Sequence, residues 1–204
     1  MNYEVGLVNL NPHIKDIQTL ENACRSLGYR PLILDLTQLT KEKVYLFIKR
    51  SKIKKWIFSG SRLMVTDLCA PKIPLEIFNL ENKEFMMICY SLQSVIYQMD
   101  YPISYRKNNK KEVFNLYIDR ITIEHMNKQY LFENIAMPMK LWRNHYAFFS
   151  PSHIINTNSN NDLIDLVSYD GECMMLFYKN SILLQYHPEK TNDGLQLMYN
   201  WFRK

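Results

Sequence analysis

From its N-terminus to residue 99 the chain alternates short apolar runs with segments of helical periodicity. Tyr3-Glu4-Val5-Gly6-Leu7-Val8 suits a buried strand, and Ile14 to Leu27 repeats apolar residues at helical spacing up to Gly28. Pro31 to Leu36 reads as a second strand, Lys41 to Arg50 as a helix, and Lys55 to Phe58 as a third strand ending at Ser59-Gly60-Ser61. Pro74 to Leu80 suits a short helix, Phe85 to Ile88 a fourth strand, and Ser91 to Met99 a helix that begins immediately after Cys89-Tyr90. Strands separated by helices return in the same direction, so the expectation is an α/β fold with a mostly parallel central sheet flanked by helices. Further on, Val113 to Ile123 and Ile164 to Tyr186 are strand-rich, with turns at Asp170-Gly171 and Lys179-Asn180. These predict antiparallel additions to the sheet in the C-terminal half, closed by a helix from about Asn192 to Phe202. The polar stretch Asn156 to Asn161 reads as a mobile loop.

A hydrophobic content of 47% over 204 residues supports one core, so residues 1–204 are read as a single domain. The net charge of +5 is too mild for a nucleic-acid binder. The basic runs Lys49 to Lys55 and Arg106 to Lys111 are expected at helix ends or loops, as solvated surface. The start lacks a basic segment followed by an apolar stretch, and no run of about 18 apolar residues occurs. A cytoplasmic, reduced location without membrane attachment is therefore expected. Cys24, Cys69, Cys89 and Cys173 are too scattered to share a structural metal, and His13, His125 and His153 stand at no ligand spacing. Trp56, Trp142, Trp201 and the stretch Tyr146 to Phe149 read as packing.

One cysteine is placed differently. Cys89 falls at a strand-to-helix corner, where backbone N–H groups and a helix N-terminus favour a thiolate and stabilise a developing oxyanion. Such a nucleophile needs a base within hydrogen-bond reach, and the base needs an orienting carboxylate. Gln185-Tyr186-His187-Pro188-Glu189 offers both at one strand end. Cys24, Cys69 and Cys173 are expected to pack inside, leaving Cys89 as the most reactive thiol.

Met87-Ile88-Cys89-Tyr90-Ser91-Leu92-Gln93 resembles the nucleophile elbow of the class I glutamine amidotransferases, commonly Gly-Ile-Cys-x-Gly-x-Gln. Leu184 to Glu189 resembles that family's Gly-x-Gln-Phe-His-Pro-Glu, and Ile57 to Ser61 its Ile-Leu-Ser-Gly-Gly-Pro segment. Leu141-Trp142-Arg143-Asn144-His145 is similar to the Trp-x-x-His stretch of the GMP synthetase glutaminase domain. His187-Pro188-Glu189-Lys190-Thr191 with Gly194 is similar to the glutaminase subunit of imidazole glycerol phosphate synthase. The subfamily stays open.

The resemblance implies the family's flavodoxin-like fold and a catalytic set in which Cys89 attacks glutamine, His187 shuttles the proton and Glu189 orients the histidine. It further implies an oxyanion hole from the Tyr90 N–H and one from Gly60 or Ser61, with Gln93 and the backbone near His145 and Tyr146 holding glutamine. No cofactor is implied. The partners would be glutamine or a γ-glutamyl compound and a separate synthetase, since the chain has no room for a synthetase domain. Met87, Ser91 and Ser61 stand where the family usually has glycine; side chains at Met87 and Ser91 are expected to crowd the nucleophile, and a β-carbon at Ser61 to restrict the peptide of the oxyanion segment. A stand-alone γ-glutamyl hydrolase and a catalytically weakened glutamine-binding or regulatory protein remain alternatives.

Overall fold

A computed structural model describes residues 4–12, 14–119, 122, 124, 128–152 and 163–204. The stretch Asn156 to Asn161 and the histidines His13, His125 and His153 lie outside the described residues. The strands are β1 (Val5–Asn9), β2 (Pro31–Asp35), β3 (Lys55–Phe58), β4 (Glu84–Ile88), β5 (Ser104–Leu116), β6 (Met139–Phe148), β7 (Leu163–Tyr169), β8 (Glu172–Tyr178) and β9 (Ser181–Leu184). The helices used below are α1 (Ile14–Ser26), α2 (Lys41–Arg50), α3 (Tyr90–Gln98) and α4 (Asn192–Arg203).

A seven-stranded sheet runs β2-β1-β3-β4-β9-β8-β7. Its first five members are parallel neighbours, and β8 and β7 extend it antiparallel. The turns at Asp170-Gly171 and Lys179-Asn180 use positive φ at Asp170, Gly171 and Lys179, as tight turns between antiparallel strands require. Strand residues alternate between two cores. Val5, Leu7, Ile57, Met86 and Ile88 pack with Ile17, Leu20 and Cys24 of α1 and Leu197, Met198 and Trp201 of α4. Val8, Trp56, Phe58, Phe85 and Met87 pack with Val44 and Ile48 of α2 and Leu92, Val95 and Ile96 of α3.

The region around Val113 departs from expectation. β5 pairs antiparallel with β6 alone, in a separate two-stranded sheet rather than as an addition to the central one. The basic run Arg106 to Lys111 lies within β5, not in a loop, and the register shifts between Tyr105 and Lys110. The hairpin docks on the main sheet through a backbone bond from His187 N–H to Trp142 O of 2.8 Å. Lys140 N–H also donates to an Asp193 carboxylate oxygen of α4 at 2.6 Å.

Candidate active site

Cys89 terminates β4 and caps α3 with φ 52° and ψ −104°, a left-handed conformation that costs a non-glycine residue about 1–3 kcal/mol. The corner is held closed from both sides. Cys89 N–H donates to Leu184 O at 2.6 Å, and Gln93 N–H to Cys89 O at 3.0 Å. Ser91 Oγ lies 2.9 Å from Phe58 O and 3.0 Å from Ile88 O, joining the first turn of α3 to the ends of β3 and β4. Met87 is fully buried in the core beneath α2 and α3. Neither Met87 nor Ser91 lines the cavity at Cys89, so the expected crowding of the nucleophile does not arise. A hydroxyl with two acceptors and a packed thioether occupy the space that glycines would leave.

His187 follows β9, and Pro188 starts a 3-10 turn that carries Glu189 back beneath the imidazole. His187 Nδ1 lies 2.9 Å from Glu189 Oε1. Burial disfavours charge on the ring, but the Glu189 carboxylate and the bond to Cys89 outweigh it and push the histidine up to about 10. Burial likewise opposes the carboxylate of Glu189, yet His187 holds it below the ordinary range. Two glycines make room for this pair. A β-carbon on Gly60 would lie 3.1 Å from His187 Cε1 and 3.6 Å from Cys89 Cβ. One on Gly194 would run into the Pro188 backbone.

A cavity of about 510 Å³ opens over Cys89. Gly60, Ser61, Cys89, Gln93, His145, Tyr146, His187 and Glu189 all line it. Tyr90 does not. Its ring packs on the opposite side with the hydroxyl bonded to Pro71 O at 3.0 Å, and only its position as the first residue of α3 ties it to the nucleophile. Gln93 is committed to the hairpin, its Nε2 donating to Ala147 O at 2.7 Å. Trp142, expected in the core, is half-buried and borders the cavity. Asn144 O lies 3.9 Å from the Cys89 sulfur. Cys24 and Cys173 are buried, but Cys69 is exposed, contrary to expectation. Burial pushes the Cys24 thiol up to about 12 and raises that of Cys173 further.

Sequence reasoning missed Glu172. This β8 residue is fully buried and faces His145 Nε2 at 2.9 Å, Arg143 Nη1 at 3.2 Å and Arg106 Nε. Its only sequence signal was its place beside the Asp170-Gly171 turn. Among the described residues no group of three His, Cys, Asp or Glu side chains is arranged to hold a metal, and no helix is long and apolar enough to cross a membrane.

A nucleophile on a left-handed strand-helix corner, facing a histidine-carboxylate pair at the C-terminal ends of parallel strands, can carry acyl transfer through a thioester. The family model for glutamine amidotransferase class-I matches residues 14–204, and the chain belongs to that family. GMP synthase [glutamine-hydrolyzing] of Brachyspira hyodysenteriae is 25% identical over 161 residues, covering 76% of this chain and 28% of that protein. The chain thus matches little more than a quarter of that relative's length. The putative GMP synthase subunit of Thermoplasma acidophilum superposes with a TM-score of 0.66 at 14% identity, over 100% of this chain and 94% of that one. PurLQS of Thermotoga maritima gives 0.63 at 14% identity, over 98% and 97% of the two chains. Both likenesses define the fold as that of these proteins.

Proposed function

We propose that the chain hydrolyses glutamine to glutamate and ammonia and hands the ammonia to a separate synthetase. The Cys89 sulfur attacks the side-chain amide carbon, and the tetrahedral oxyanion is held by N–H groups of Tyr90 and of Gly60 or Ser61. The C–N bond then breaks, its electrons and a proton from His187 leaving with ammonia, and a γ-glutamyl thioester remains. Water, giving its proton to His187, cleaves the thioester and restores Cys89. The backbone near His145 and Tyr146 holds the substrate, with the Oε1 of Gln93 as a further contact while its Nε2 stays on Ala147 O. The observation that carries the reading is the left-handed Cys89 corner set against His187, whose Nδ1 is 2.9 Å from Glu189.

The test is ammonia release from glutamine by the wild type and Cys89→Ala, each with and without candidate synthetases. Loss of the nucleophile should cost at least about 1,000-fold. Equal rates in the two proteins would discard the proposal.

A second reading is favoured by the cavity lining, where Lys111 and Lys190 contribute basic groups while the acidic lining residue Glu189 is engaged with His187. That charge suits a γ-glutamyl compound whose leaving amine carries a carboxylate, the nitrogen taking its proton from His187 as ammonia does. Parallel assays with glutamine and a γ-glutamyl amino acid decide between the two.

A further inference from the structure

Two buried glutamines connect the hairpin to the nucleophile. Gln93 belongs to α3 and Gln185 follows β9, two residues before His187. Gln93 is nearly buried and Gln185 fully so. Gln93 Nε2 donates to Ala147 O of β6 at 2.7 Å and lies 3.4 Å from Gln185 Oε1, and Gln185 Nε2 lies 3.8 Å from the Cys89 sulfur. A carbonyl oxygen can only accept, so Ala147 O fixes which end of the Gln93 amide is the NH2. The second hydrogen of that NH2 is then left for Gln185, which must turn its oxygen towards Gln93 and its own NH2 towards the sulfur. The reversed amide would set two donors face to face.

The backbone anchors this chain at both ends. Ala147 lies on β6, and the main-chain N–H of Gln185 donates to Met174 O of β8 at 2.9 Å. Among the described residues the sulfur is the one partner of Gln185 Nε2. A thiol sulfur is a poor acceptor, whereas a thiolate offers a full charge to the buried N–H. The amide therefore favours the ionised nucleophile over the neutral one. We propose that Gln185 is a further catalytic residue, its side-chain N–H stabilising the Cys89 thiolate, and that Gln93 is the positioning residue that aims it. The inference rests on Cys89 being the nucleophile of the glutaminase reading. In that reading charge leaves the sulfur as the C–S bond of the thioester forms, and returns to it when water breaks that bond, the proton of the water going to His187. The N–H of Gln185 thus enlarges the thiolate fraction before attack and receives the returning charge at the end.

The experiment follows alkylation by iodoacetamide from about pH 5 to about pH 10 in wild type, Gln185→Met and Gln93→Met, read on the Cys89 peptide by mass spectrometry with exposed Cys69 as the internal reference. His187, the charged group facing the sulfur, and Glu189 behind it are the same in every protein. In Gln185→Met the pH of half-maximal rate at Cys89 should rise by roughly half a unit to one unit, and in Gln93→Met by a smaller step in the same direction, while the Cys69 profile holds. A purely structural role would lower the melting temperature and leave that midpoint in place. Gln185→Glu keeps the shape but sets an oxygen against the sulfur; it should move the midpoint further up, and it carries the test should Gln185→Met fail to fold. An unmoved midpoint in a folded Gln185 variant would overturn the catalytic role, and one in Gln93→Met the positioning role. No glutamine enters this measurement, so its failure leaves the ammonia-release test standing. A wild-type Cys89 that takes no iodoacetamide at any pH would sink the nucleophile itself, and this inference with it.

Discussion

The positive charge of His187 is favoured chiefly by the Glu189 carboxylate 2.9 Å from Nδ1, and that charge sets the pH behaviour of the site. A histidine raised on folding adds stability that is complete below its unfolded value near 6.5 and is lost as pH climbs through its folded value. Removing Glu189 removes the largest attraction holding that proton. Glu189→Gln should therefore cost about 1–3 kcal/mol near neutral pH, and the difference from wild type should shrink toward pH 10 in urea unfolding curves. The same change should move the alkaline limb of glutamine turnover to lower pH, because the acid that protonates the leaving ammonia is lost earlier. An unmoved limb would show that His187 is not that acid. Thiol labelling separates the cysteines by surroundings. Iodoacetamide should modify exposed Cys69 and Cys89, which is buried but lines the cavity, leaving Cys24 and Cys173 in the core untouched.

The elbow and the hairpin were unequally legible from sequence, for one physical reason. β4 and α3 announce themselves because Phe85 to Ile88 bury an unbroken apolar run and the helix starts directly after it. β6 hides because the strand face that would show apolar residues at every second position carries Arg143 and His145 there, both buried against Glu172. Sequence spacing shows no partner 29 or 27 residues away. β5 hides in its basic run, since a strand paired on one side only keeps much of its length exposed. The framework around Cys89 yields a prediction of its own. Ser91→Gly removes the hydroxyl that joins β3, β4 and α3, and Met87→Gly empties a packed core site. Both should destabilise the fold, by about 1 kcal/mol for Ser91 and 2–5 kcal/mol for Met87, seen as lower melting temperatures without any rise in turnover. A gain in turnover by either variant would restore crowding as the limiting factor.

Across the whole molecule, the parallel sheet brings together residues as distant in sequence as Gly60, Cys89 and His187 by ending β3, β4 and β9 at one edge. The order of those strands was not written in any local pattern, but Ser59-Gly60-Ser61, the Cys89 corner and the His-Pro-Glu stretch marked all three ends. Binding at that edge should register on global stability. For Cys89→Ala, glutamine at 100 times its dissociation constant should add about 2.7 kcal/mol, a rise of roughly 5–10 °C in a calorimetric scan. No rise at any attainable concentration would mean that the cavity does not receive glutamine. The backbone bond between Trp142 and His187 extends this linkage beyond the cavity. β6 and the turn after β9 are joined at this point main chain to main chain, so a displacement of the strand at Trp142 is a displacement of the His187 backbone. Whatever grips β6 therefore pulls on the main chain of a residue that lines the cavity, without entering the cavity itself.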